Sequence, residues 1–261
     1  MKSLDIAATG MLAQQLNVDV ISNNISNMNT TGYKRQRAEF QDLLYQSQLA
    51  VGSTSSDAGT ISPAGVQTGL GVKAAAVYRM TNQGTLTQTD NPFDIAIQGK
   101  GYFEIDLPTG ETGYTRAGSF QVSPDGELVT TEGYLVQPGV TIPNDATNVT
   151  INESGEVIVS QQGVAAPINV GQLSLVVFPN EAGLEAEGSN LLTETAASGG
   201  PIAGVPGEAG FGSLIQGFLE SSNVDAVAEI TSLIRAQRAY EMNSKVIETA
   251  DQMMSTTTQL R

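Results

Sequence analysis

The sequence predicts an α+β chain in which two long helices, one at each end, flank a mostly antiparallel β domain. Three observations predict it. Apolar residues recur every seven positions near both termini, the spacing of a coiled-coil-like seam. Between them lie short alternating runs broken by Gly, Pro, Asn and Asp, the texture of strands and turns. Charge divides the same way: of 12 Lys/Arg and 27 Asp/Glu, residues 41–223 hold 4 and 19, and the two ends are nearly neutral.

The first helix is expected from Ser3 to about Ser26, where Leu4, Met11, Val18 and Ile25 recur every seven residues, with Ala7, Ala8 and Ile21 beside them and no Pro. It stops in Asn27-Met28-Asn29-Thr30-Thr31-Gly32, whose residues favour caps and turns. The last helix is expected to start after Ser222 or Asn223 as cap, with Asp225 and Glu229 at the positive end of its dipole. From there to Leu260 there is neither Gly nor Pro, and Leu233, Tyr240, Ile247 and Met254 repeat every seven, with Ala236 and Ala250 alongside. Wholly helical, it would be roughly 55 Å long.

In the middle, Phe93-Asp94-Ile95-Ala96-Ile97 and Leu173-Ser174-Leu175-Val176-Val177 read as strands, and Ser123-Pro124-Asp125-Gly126 and Glu153-Ser154-Gly155 as hairpin turns. A faint echo links Asp125-Gly126-Glu127-Leu128-Val129 to Ser154-Gly155-Glu156-Val157-Ile158. Residues 46–72, rich in Ser, Thr, Gly and Ala with Pro63, read as a loop, and Ala197 to Gly212 as the return toward the last helix.

Composition excludes several functions. Without Cys, His or Trp the chain has no disulfide, thiolate nucleophile or imidazole base, and it lacks the commonest zinc ligands. A net charge of -15 argues against nucleic acid, which needs basic residues to neutralise phosphate. No stretch has the apolar length of a membrane span, and Met1 to Gly10 has no signal-peptide pattern, so no cleaved leader is expected.

No residue pattern carries catalytic or metal-binding chemistry. Asp90 with Asp94, and Glu104 with Asp106, are the nearest carboxylate pairs for hydrolysis, yet both sit in alternating strands and read as the solvent face of a sheet. Gly99-Lys100-Gly101 lacks the strand, loop and helix context of a phosphate cradle and reads as a tight turn. No loop has the calcium-binding alternation of acidic residues. The expectation is a structural protein: no enzyme, no catalytic residue, no metal and no cofactor.

The heptad stripes point instead to contact between copies. Their residues, Leu4, Met11, Val18, Ile21, Ile25, Leu233, Tyr240, Ile247 and Met254, are the expected subunit interface. Asn24, Asn27, Gln237 and Asn243 lie near them and are candidates for register-setting hydrogen bonds across helices; capping or surface solvation is the alternative.

Several blocks resemble one family, the axial proteins of the bacterial flagellum that build rod and hook. Ile21-Ser22-Asn23-Asn24-Ile25-Ser26-Asn27 and Thr31-Gly32-Tyr33-Lys34 are similar to its N-terminal signature. Ser222-Asn223-Val224-Asp225 and Ala236-Gln237-Arg238-Ala239-Tyr240-Glu241-Met242-Asn243-Ser244-Lys245 are similar to its C-terminal one. The internal segments Phe93 to Phe103, Tyr114 to Phe120 and Gly126 to Tyr134 agree too.

The resemblance implies terminal helices that pair antiparallel and line the core of a helical tube, with the β domain facing outward. Residues 1–35 with 222–261 would then form a discontinuous helical core domain, 36–75 an extended connection carrying a rod-type insertion at 46–72, and 76–221 the outer β domain. Length and insertion are similar to distal-rod members; a proximal rod or hook subunit is the alternative within the family, and an extracellular β-rich adhesin the alternative outside it. A stiffening role would fall on Val51, Ser53, Ser55 and Pro63. Implied partners are further copies, proximal rod proteins, hook or hook-junction protein, the P- and L-ring proteins of a Gram-negative envelope, and the flagellar type III export apparatus. The implied place is the basal body, as a periplasm-spanning rod.

Overall fold

The computed structural model describes residues 2–49, 64–108, 110–161 and 166–259. Val51, Ser53, Ser55 and Pro63 lie outside the described residues. The chain forms two compact units: residues 1–25, 36–78 and 225–261 in the first, and residues 26–35 and 79–224 in the second. By this division residues 26–35 and 222–224 lie with the β unit and residues 36–78 with the helices. The reason lies in where backbone groups find partners. Gly32 N–H donates to Glu220 C=O at 2.8 Å, whereas Gln36 is held at both backbone groups by the Asn24 amide.

In the first unit, α1 spans Lys2–Ser26 and α2 spans Ala226–Gln259. The start of α2 is capped by Asp225, whose Oδ1 accepts from the N–H groups of Val227 and Ala228 at 2.9 and 3.2 Å. Ser222 and Asn223, the caps the sequence suggested, stand too far upstream to reach those orphan donors. Asn223 is engaged elsewhere, as described below.

Two contacts fix the direction of the helix pair. Asn24 bonds Glu229, and a Cβ added to Gly10 would lie 2.8 Å from Asn243 Nδ2. Moving back fourteen residues on α1 moves forward fourteen on α2, so the helices run antiparallel. The buried face of α1 carries Ala7, Ala13, Val20, Ile21 and Asn24, and that of α2 carries Glu229, Ala236 and Ala250. Small residues allow the close approach that Gly10 shows.

The rest of the first unit is extended chain. Strand Gln36–Asp42 pairs with Val72–Arg79, and Tyr45–Leu49 pairs antiparallel with Val66–Gly69 in the register Tyr45↔Gly69. Both flanks of the segment expected as loop are therefore strand. The compositional reading missed this because the pairing is between distant residues, and the side chains of Leu44, Tyr45 and Val66 stay exposed.

The second unit is built on a seven-stranded antiparallel sheet in the order Glu185–Gly188, Leu191–Thr193, Thr112–Thr115, Phe103–Asp106, Leu135–Val136, Leu128–Thr130, Phe120–Val122. Alternation divides its faces. Phe103 and Ile105 enter the main core with Ile95, Ile97, Leu175 and Leu214, and Phe103 meets Phe120 edge-on at 5.0 Å. Tyr102 and Tyr114 enter a smaller cluster with Val176, Phe178 and Leu184. Both expected turns close hairpins: Gly126 N–H donates to Ser123 C=O at 2.9 Å, and Gly155 N–H to Asn152 C=O at 3.0 Å. The echo between those segments is an echo of hairpins, the second lying in the sheet Ala146–Ile151, Glu156–Gln161, Ile168–Gln172.

Phe103→Ala removes a fully buried ring with an edge-on partner and is expected to destabilise the β unit by about 3–5 kcal/mol. Urea unfolding followed by the far-UV signal measures it. A loss below about 1 kcal/mol would place the core elsewhere.

Candidate functional site

The stripe residues singled out in the sequence occupy distinct places on the helix pair. Leu4, Met11, Val18 and Ile25 are half-buried and Ile21 is buried; Leu233 and Ile247 are half-buried, while Tyr240 and Met254 are exposed. At 100° per residue the buried face of α1 lies about 100° round from the line of Leu4, Met11, Val18 and Ile25. On α2 the positions facing inward, Glu229, Ala236, Asn243 and Ala250, keep a seven-residue spacing in a different phase from the stripe. Within one chain the buried faces are mostly small and polar, with Val20 and Ile21 as the larger apolar members.

The four polar candidates separate in the same way. Asn24 is 1% exposed; its Oδ1 accepts from Gln36 N–H at 2.8 Å, and its Nδ2 donates to Gln36 C=O at 2.9 Å and to Glu229 Oε2 at 3.3 Å. It therefore links α1, α2 and the strand leaving them. Asn243 faces Gly10. Asn27 accepts from Thr30 Oγ1 at 3.1 Å in the turn after α1. Gln237 lines an open recess with Gln15, Val18, Tyr240 and Glu241, of about 430 Å³.

A second constellation was not marked as a site in the sequence. In the β unit, Glu220 is 1% exposed and receives Lys34 Nζ at 2.5 Å on one carboxylate oxygen and Arg116 Nε at 2.6 Å on the other. Gly84 N–H also donates to Oε1, at 2.8 Å. Two cations around one anion leave an excess positive charge that would be costly if unpaired. Backbone carbonyls meet it: Arg116 donates to Ile97 at 3.0 Å, Gly99 at 2.5 Å and Gly101 at 2.6 Å, and Lys34 to Asn82 at 3.0 Å. Gly32 sits against this joint at φ 68°, where a Cβ would lie 2.8 Å from Ala117 N, so only glycine fits.

Burial pushes the Glu220 carboxyl up, but Arg116 and Lys34 more than reverse the effect and hold it below the usual carboxylate range. The signal that could have found the joint was present. Lys34 and Arg116 are rare cations in an acidic chain, and each stands in a signature segment.

The other candidates resolve locally. Gly99-Lys100-Gly101 presents its carbonyls inward, two of them to Arg116 and that of Lys100 to Gly212 N–H at 2.7 Å. It offers acceptors to a cation, the reverse of a phosphate cradle. Asp94 is buried and accepts from Asn91 Nδ2 at 2.9 Å, and Asp90 is exposed. Asp106 accepts from Gln137, and the Glu104 carboxyl is raised first by burial and then by Asp106.

An antiparallel pair of terminal helices and a joint that binds distant segments of one chain define a structural subunit. Comparison with known proteins gives the particular family. Residues 4–34 match the flagella basal body rod protein family, 96–159 the flagellar hook protein FlgE/F/G D1 domain, and 215–260 the flagellar basal body rod FlgEFG protein C-terminal family. Each matched segment supplies one member of the ionic joint: Lys34, Arg116 and Glu220. The chain is 64% identical over 261 residues to the flagellar basal-body rod protein FlgG of Caulobacter vibrioides, covering 100% of both chains. It is 52% identical to that of Agrobacterium fabrum, covering 98% of this chain and 97% of the relative, and 39% identical to that of Bacillus subtilis, covering 97% of each. The chain belongs to the FlgG family of flagellar basal-body rod proteins. Its class is structural, and it is not an enzyme.

Glu220→Gln leaves Lys34 and Arg116 buried without a counter-charge and is expected to destabilise the β unit at pH 7 by about 3–5 kcal/mol. A carboxyl held low stabilises the fold above the unfolded glutamate value of about 4.3 and stops doing so as pH falls through its folded value. The gap between native chain and variant should therefore close in acid. Denaturant titrations from pH 7 to pH 3 test this; a constant gap would mean the charge of Glu220 is not what matters.

Proposed function

We propose that this chain is a subunit of the distal rod, polymerising through its terminal helices into a rigid hollow axle that carries torque to the hook. The observation that carries the proposal is the composition of the helix surface. The buried faces within the chain carry Ala7, Ala13, Val20, Ile21, Asn24, Glu229, Ala236 and Ala250, and further large apolar residues are left outside: Leu12 is 67% exposed, Val227 75% and Tyr240 45%. A helix apolar on more than one face is buried on more than one face in its working state.

Further copies of the chain are the occupants this surface fits, through Leu4, Met11, Val18, Ile25, Leu233, Tyr240, Ile247 and Met254, whereas Ile21 is already buried within the chain. The seven-residue spacing of Glu229, Ala236, Asn243 and Ala250 supports a coiled-coil-like seam within each subunit. Asn24, Asn243, Asn27 and Gln237 would set or border its register, Asn24 most directly through Glu229. The insertion at 46–72, with Val51, Ser53, Ser55 and Pro63, would stiffen the axle against neighbouring subunits. Its flanking strands already hold an extended, exposed conformation.

The rest of the assignment follows from family membership. Proximal rod proteins below, hook or hook-junction protein above and the P- and L-rings around it would be the neighbours of a periplasm-spanning rod. The chain would reach them through the flagellar type III export apparatus.

Tyr240→Asp tests the helix surface. Exposed in the single chain, the position should tolerate the change within about 0.5 kcal/mol of unfolding free energy. In the polymer it would bury a charge, so rods seen by electron microscopy in cells carrying the variant should be absent or short. Rods of normal length and number containing the variant would remove Tyr240 from the interface.

A further inference from the structure

The backbone passes between the two units four times, at 25/26, 35/36, 78/79 and 224/225. Inside the β unit, the residues next to the last three of these crossings are bound to one another. Glu220 holds Lys34 through a carboxylate oxygen, Gly84 N–H through that same oxygen, and Gly32 N–H through its backbone carbonyl. Asn223 repeats the pattern three residues on. Its Oδ1 accepts from Arg35 N–H at 2.7 Å, and its Nδ2 donates to the carbonyls of Met80 and Asn82, both at 2.9 Å. Met80 N–H donates in turn to Arg35 C=O at 2.8 Å.

From this we infer that Glu220 and Asn223 form a clasp that fastens the crossings at 35/36, 78/79 and 224/225 to the β unit as one cooperative element, with Arg116 as its anchor in the core. The three strands of the clasp, residues 32–35, 80–84 and 220–223, come from chain positions almost 190 residues apart, and none of them has a regular ladder along its whole length. Two side chains supply what a ladder would. Each acts at several points on two partners, so no one strand can leave without breaking bonds to both others. Arg116 extends the hold inward, since its other three bonds end on the carbonyls of Ile97, Gly99 and Gly101 beside the main core. Bonds to charged groups in a water-excluded site are short and directional, so they resist sliding as well as separation. The clasp is a property of the folded chain and stands apart from the rod assignment.

Native-state hydrogen exchange on the full chain, read by mass spectrometry, tests it. Cooperative elements open together and exchange with a common free energy. Asn223→Ala breaks three ties without burying an unpaired charge, and it should speed exchange in residues 32–35 and 80–84 together by about tenfold or more, with the sheet at 103–115 unchanged. Glu220→Gln should act on the same segments more strongly; if it unfolds the whole unit, Asn223→Ala decides. Faster exchange confined to residues 220–224, or no change at 80–84, would overturn the clasp. Rods that fail to form with the clasp intact would count against the rod assignment alone.

Discussion

The carboxylate of Glu220 is the constraint on which the β unit turns. A chain with a net charge of -15 would be expected to keep its cations on the surface to offset repulsion; instead it places Lys34 and Arg116 inside, on either side of one acid. Burying three charges is costly, and an apolar trio of the same size could serve stability as well. What apolar packing would not supply is direction. The forked guanidinium and the two carboxylate oxygens accept only one arrangement of the segments around them. The same choice leaves the outside more acidic: Arg79 in the β unit is also engaged, on Leu184 C=O at 3.1 Å, although Lys100 stays exposed.

The helix pair follows a complementary logic. Gly10 against Asn243, with Ala7, Ala13, Ala236 and Ala250 on the buried faces, draws two helices close while burying little apolar area. A seam of this kind defines direction and register but contributes modestly to stability, because hydrophobic stabilisation scales with area removed from water. Apart from Val20 and Ile21, larger apolar side chains such as Leu12, Val227, Ile234 and Met242 are thereby left for other surfaces. The polar network of Asn24, Gln36 and Glu229 sits at the end where both helices meet the β strand, the place where a slip in register would be felt first.

Much of this was legible in the sequence, and the parts that were not share a cause. Helix limits were readable because Asn27 to Gly32 stop a helix by local chemistry, and the hairpins at Gly126 and Gly155 because their turns are local as well. The seven-residue period of α2 was readable too. Its intrachain phase was not, since weighting by apolarity favours Leu233 and Tyr240 over Ala236 and Ala250. The strands flanking residues 50–63 and the joint at Glu220 depend on partners far along the chain. No local pattern announces that Lys34 will meet residue 220, although the scarcity of cations in the acidic stretch was a usable hint for Arg116.

The central claim is that the terminal helices carry a surface which only further copies of the chain complete. The absence of cysteine makes it directly testable, because any introduced thiol is the sole one. Single variants Leu12→Cys, Ile234→Cys and Met242→Cys on the helices, with Glu111→Cys and Glu208→Cys on the β unit as exposed references, can be labelled with a small thiol reagent in the free subunit and in isolated rods. The account predicts fast labelling everywhere in the free subunit and, in the rod, protection at the helix positions while at least one reference stays reactive. Helix thiols that react as fast in the rod as in the free subunit would contradict it.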